Sequence, residues 1–254
     1  MRTVVIFGAG GPLAAAAVHA LAPCYRLRLT DIRPLAAIVA EARPQVPGAP
    51  LPTVPEPPHE TMVVDVTDPA QVGRACEGMD AIINGTVVRS DPVQAFRVNC
   101  LGAYHVMQAA VKHAIRRLVH TGPQLVNAGG NGEYWFDFGV PEDTAPRPGT
   151  TLYFLTKYLG LEVVRSFAEQ HALSVPVLLF GRLVHGVQAM SAPAAGRHPF
   201  IVSWRDAGAA IKCAVEVANL PRACEVFHIV ADLPQGKYPN TKAKRLLGWH
   251  PREL

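Results

Sequence analysis

Thr3–Phe7 (TVVIF) runs straight into Gly8-Ala9-Gly10-Gly11-Pro12-Leu13-Ala14, and the reading of these residues decides the fold. A short apolar run rich in β-branched residues and bounded by glycines predicts a buried strand. Pro12–Leu21 (PLAAAAVHAL) predicts a helix with Pro12 in its first turn, where a missing N–H costs nothing. Read as Gly-x-Gly-x-x-Gly the turn fails, because Leu13 stands at the third position; read as Gly-x-x-Gly-x-x-Gly/Ala it fits, with Gly8, Gly11 and Ala14. Small residues at those places allow a tight turn, close approach of an anionic ligand to the backbone, and near contact of helix and strand. The helix start adds unpaired N–H groups and a positive dipole end. The turn from Gly8 through Gly10, Gly11, Pro12 and Leu13 is therefore a candidate phosphate cradle.

Outward from this turn, strand-like and helical patterns alternate. Strands are expected at 26–30, 61–66, 80–84, 117–121, 175–180 and 225–230, and helices at 93–113, 151–171 and 206–217. That rhythm predicts an α/β fold, a Rossmann-type doubly wound parallel sheet of about seven strands covered on both faces. The 254 residues suit one domain spanning 1–254, with a small C-terminal lobe drawn mainly from 182–205 and 231–254. Two stretches break the rhythm. Seven prolines lie between Arg43 and His59, so an extended surface loop should replace most of the second crossover helix; it reads as a tolerated insertion. Residues 124–149, with Tyr134, Trp135, Phe136 and Phe138, follow the fifth strand and should border a substrate.

Asp31 closes the second strand, twenty residues after Gly11. A carboxylate there accepts both hydroxyls of an adenosine ribose and repels a 2′-phosphate, so the expected cofactor is NAD rather than NADP. Arg33 pulls the other way, because it can pair with a 2′-phosphate. Asp65 and Val66, at the expected end of the third strand, are candidates for the adenine edge, and Asn84 and Gly85, at the end of the fourth, are further cofactor contacts.

Tyr153 and Lys157 stand four residues apart in the long helix and share one face. A nearby ammonium favours phenolate, which lets a tyrosine exchange a proton with a substrate hydroxyl or carbonyl. The lysine can also hold the nicotinamide ribose. Thr121 supplies the hydroxyl at the end of the fifth strand. Arg182 and His185 follow the sixth strand, and His198, Trp204 and Arg205 are candidates to line the small lobe.

The remaining features exclude other classes. The net charge of +4 is not clustered, so nucleic acid is not an expected partner. Five scattered cysteines, with no Cys-x-x-Cys spacing, make neither a disulfide framework nor a zinc site, and no metal is expected. No apolar run reaches the length of a membrane span, and the N-terminus has no signal-peptide pattern, which predicts a cytoplasmic protein.

Taken together, these residues resemble the extended short-chain dehydrogenases, the NAD-dependent epimerase/dehydratase group. The resemblance rests on Gly8, Gly11 and Ala14, on Asp31, Asp65-Val66 and Asn99, on Tyr153-x-x-x-Lys157, and on "TKAKRLLGWHP" near the C-terminus. It implies a seven-stranded parallel sheet, bound NAD, an Asn99 on the helix beside the cofactor, and oxidation of a carbohydrate-like hydroxyl. Two departures stand out. The family's usual Ser or Thr after the fifth strand falls on Pro123, and the chain is shorter than many sugar-nucleotide enzymes of the group. In size it is similar to the uronate dehydrogenases, which suits a small sugar, sugar acid or polyol. The alternatives are a sugar-nucleotide epimerase or dehydratase that reoxidises its own NADH, and a non-catalytic NAD-binding sensor. Both long helices carry apolar residues nearly all round, so a homodimer is expected to cover their outer faces.

Overall fold

The computed structural model describes residues 2–44, 46–128, 137–186 and 200–253. The sheet is built from β1 (Thr3–Phe7), β2 (Arg26–Asp31), β3 (Glu60–Val63), β4 (Ala81–Asn84), β5 (Arg117–Pro123), β6 (Val175–Phe180) and, last in the chain, β9 (Cys224–Ile229). All seven pair in parallel, in the order β3-β2-β1-β4-β5-β6-β9. Neighbouring strands β1 and β4 lead to crossovers on opposite sides, and the carboxyl ends on either side of that switch open a crevice.

The side chains alternate across the sheet as the pleat requires. Val4 and Ile6 enter one core, under α1 (Pro12–Leu21), α8 (Trp204–Glu216) and α9 (Thr241–Leu247). Val5 and Phe7 enter the other, under α3 (Pro69–Cys76), α5 (Gly102–Lys112) and, beyond the one-turn α6 (Leu125–Ala128), α7 (Leu152–Gln170). Close helix contacts depend on two glycines. A Cβ on Gly208 would lie 2.4 Å from the carbonyl oxygen of Ala16 in α1. One on Gly160 would lie 2.1 Å from that of Asn99.

Several expected boundaries move. A two-turn helix, α2 (Leu35–Glu41), survives ahead of the proline-rich loop. β3 ends at Val63, so Asp65 and Val66 lie beyond the strand rather than at its end. Asp65 belongs to a turn, its carboxylate accepting from Thr67 N–H at 2.8 Å. β5 runs on to Pro123, because its last four residues pair with Val177 to Phe180 of β6, and Thr121 therefore sits inside the strand. The long helix before β5 is interrupted: α4 (Pro92–Ala95) passes through a π-helical segment, Phe96–Leu101, into α5. Ala243, Leu247 and Trp249 join the first core, and the Trp249 indole donates to Asp206 O at 2.9 Å. A small pair of strands, β7 (Arg182–Val184) and β8 (Ile201–Ser203), lies beside the crevice.

Tyr134, Trp135, Phe136 and His198 lie outside the described residues. Among the described residues no disulfide forms, no cluster of metal-ligating side chains occurs, and no helix is long and apolar enough to cross a membrane.

Candidate active site

The crevice at the strand ends is a cleft of about 910 Å³, within the range of roughly 300–1,000 Å³ usual for small-molecule and cofactor sites. One end is built by the glycine turn. Gly8 takes φ +83°, which only a residue without a Cβ adopts cheaply, and a Cβ there would press on the Gly85 backbone at 3.1 Å. Gly11 caps α1 without any side-chain hydrogen bond, and the first turn holds no acidic residue. Its N–H groups are left for a ligand, which is what a pyrophosphate needs. Asp31 is held at the turn: Oδ2 accepts from Gly10 N–H at 2.8 Å and Oδ1 from Ile32 N–H at 2.8 Å. Its remaining lone pairs suit ribose hydroxyls. The residues present thus fit a dinucleotide.

Gly8, Gly11, Pro12, Leu13, Asp31, Asp65, Val66, Gly85, Thr121, Tyr153 and Lys157, all singled out by sequence, line this one cleft. Gly10 sits behind it, holding Asp31. Three others are not brought to its wall. Arg33 pairs with Glu41 at 2.8 Å. Asn84 is buried, its Oδ1 accepting from the Thr86 hydroxyl at 2.8 Å. Asn99 is buried in the π-helical segment and clamps the loop after β4, accepting from Val88 N–H at 3.0 Å and donating to Val88 O at 2.7 Å. Its amide also donates to Thr156 Oγ1 at 2.9 Å, tying that loop to α7.

At the other end of the cleft stand Tyr153 and Lys157 on α7. Lys157 Nζ donates to Thr86 O at 3.3 Å, and burial pushes its ammonium down to about 8. Burial raises the Tyr153 phenol above its ordinary value, and the Arg89 guanidinium lowers it in return. Arg89 lies over the Tyr153 ring, its central carbon 5.0 Å from the centroid. Arg89 is thus a cation placed directly at this phenol. Thr121 is buried, and its hydroxyl donates to Asn84 O at 3.1 Å, so its proton points into the sheet. Beside it His120 is fully buried and kept neutral by that burial.

Sequence reading missed Arg89, Thr86, Val46 and Phe180, which also line the cleft. Arg182 and Trp204 do line it. Arg205 instead faces Glu253 at 3.6 Å. His185 faces the proline-rich loop, packed where a Cβ of Gly48 would stand.

The profile of the NAD dependent epimerase/dehydratase family matches residues 4–185. Uronate dehydrogenase of Pseudomonas putida is 28% identical over 158 residues, 61% of this chain; the match spans 51% of that protein, about half its length. The NAD-dependent glucose-6-phosphate dehydrogenase of Haloferax volcanii is 24% identical over 99% of this chain and 94% of its own. A mutant uronate dehydrogenase from Agrobacterium tumefaciens, solved in complex with NAD, superposes with a TM-score of 0.76 at 21% identity, over 99% of this chain and 85% of that one.

Proposed function

The chain belongs to the NAD-dependent epimerase/dehydratase family, whose cofactor is NAD, and from that premise we propose that it is an oxidoreductase acting on a hydroxyl or keto group of a small sugar, sugar acid or polyol. The observation that carries this reading is the meeting of Tyr153 and Lys157 with the Gly8–Gly11 turn and Asp31 in one cleft. NAD, when bound, supplies the hydride acceptor. The Gly11 end of α1 holds its pyrophosphate, and Asp31 its adenosine ribose. Lys157, anchored on Thr86 O, holds the nicotinamide ribose. Tyr153 takes the proton of the substrate hydroxyl as the hydride leaves, and returns it in the reverse direction. The cations Arg89, Lys157 and Arg182 all face this cleft, which favours an anionic substrate such as a sugar acid.

The test is a panel of uronic acids, free sugars, sugar phosphates and polyols with NAD, followed by NADH absorbance. Steady accumulation of NADH with one of them supports the reading. Isomerised product without NADH moves the assignment to an epimerase. Bound NAD with no chemistry at all moves it to a sensor.

We further propose that the protein is a homodimer. The π-helical segment and α5 expose Phe96 (45%), Leu101 (43%) and Tyr104 (39%), and the adjoining α7 exposes Leu159 (37%). A second copy presenting the same helices would cover them across a two-fold axis.

A further inference from the structure

Arg89 belongs to no motif, yet the structure delivers it to the reacting group with care. The loop from Gly85 to Arg89 leaves β4 and is pinned twice. Asn84 and Lys157 hold it at Thr86, and Asn99 holds it at Val88 through both the N–H and the C=O of that residue. The next residue is Arg89, and its guanidinium comes to rest over the Tyr153 ring, 5.0 Å from the centroid. Arg89 makes no ion pair with a carboxylate among the described residues. The polar groups nearby on β5, the π-helical segment and α7 are engaged elsewhere or uncharged. Pro123, where the family carries a hydroxyl, has no donor, and the Thr121 hydroxyl already donates to Asn84 O. The Thr156 hydroxyl donates to Leu152 O at 2.7 Å. His120, from β5, is neutral. Cys100, from the π-helical segment, is a thiol whose burial keeps it protonated. Lys157, on the same helix, is directed to Thr86 O.

We infer that Arg89 is a positioning residue of this site: its guanidinium fixes the Tyr153 ring and favours the phenolate form, adding to the part that the sequence motif assigns to Lys157. A cation on an aromatic face is attracted by the ring itself, and more strongly once the phenol is ionised. This inference rests on the oxidoreductase reading for its purpose, but the contact is measurable without any substrate.

The experiment is an ultraviolet titration of tyrosinate in the full-length protein and in Tyr153→Phe, whose difference isolates the Tyr153 transition. In Arg89→Gln that transition should move up by about one pH unit, the scale of a lost neighbouring charge. Arg89→Lys should fall between the two, because it keeps the charge and loses the planar fork. Arg89 is exposed, so neither variant disturbs a core. With a substrate in hand, the acid limb of the rate profile should move up with the phenol in Arg89→Gln. A Tyr153 transition that stays in place in Arg89→Gln overturns the inference. A transition that moves, in a protein that reduces no NAD with any substrate, supports the Arg89–Tyr153 pairing and sinks the oxidoreductase reading instead.

Discussion

The carboxylate of Asp31 is hydrogen-bonded to the backbone of Gly10, with 2.8 Å between Oδ2 and the amide nitrogen. One residue thereby shapes the glycine turn and presents charge to whatever lies against it.

For cofactor choice, NAD should bind several-fold more tightly than NADP, because a 2′-phosphate would face that charge. Asp31→Ala should narrow the difference, and it should also weaken NAD itself, since it leaves the Gly10 N–H without its acceptor. Paired calorimetric titrations of the two dinucleotides check both parts. An Asp31→Ala protein that binds NAD as tightly as the wild type would show that the Gly10 contact is idle.

For the chemistry, Tyr153→Phe should leave NAD affinity nearly intact and cut turnover by ~10²-fold or more, the usual scale of a general acid–base contribution. Lys157→Ala should damage both. Thr121→Val should be close to silent in turnover, because its hydroxyl is engaged with Asn84 O. Steady-state kinetics on the first active substrate separate the three.

For packing, Gly160→Ala should cost about 2–3 kcal/mol, at the upper end of overpacking penalties, because the obstacle is a backbone carbonyl and not a side chain that can turn aside. Urea unfolding measures it. A loss under about 0.5 kcal/mol would mean that α7 and the π-helical segment part readily.

For pH, Lys157 falls from 10.5 to about 8 on burial. Between those values the unfolded chain binds more protons than the folded one, so this group adds stability as pH rises. Its contribution is complete above the unfolded value and is lost as pH falls through about 8. Relative to Lys157→Met, the wild type should therefore gain stability from pH 8 to 10.5, by up to roughly 3 kcal/mol. A difference that stays flat across that window would mean the ammonium is not strained by burial.

For assembly, light scattering at micromolar concentration should give the mass of two chains, and Leu101→Glu should give one, by placing a charge in the centre of the paired helices.

The sequence made the nucleotide end of the cleft legible because its demands are local. A turn that must do without Cβ atoms, followed at a fixed distance by a carboxylate, shows directly in Gly8, Gly11 and Asp31. Tyr153 and Lys157 were legible for the same reason, since one helical turn fixes their relation. Arg89 was not. Its place depends on Asn84, Asn99 and Lys157, three residues from three other parts of the chain, and no spacing along the sequence encodes such a convergence. Asn99 stood out by resemblance as a neighbour of the cofactor; among the described residues its side chain hydrogen-bonds Val88 and Thr156. Arg33 looked like a ligand for a 2′-phosphate because its partner, Glu41, lies on a helix that the prolines had obscured.

The proline-rich loop is where sequence and structure differ most in meaning. Read along the chain it is filler, free to vary. In the fold Val46 lines the cleft, and Gly48, at φ +74°, leaves the space that the His185 ring occupies, within 2.5–2.7 Å of where a Cβ would be. A surface segment is thus fitted to a side chain from the far half of the chain. In a saturation scan Gly48 should be costly to replace although it is exposed, because its φ is positive and the His185 side chain would have to move. Where related sequences replace this glycine, the residue at position 185 should be smaller than histidine.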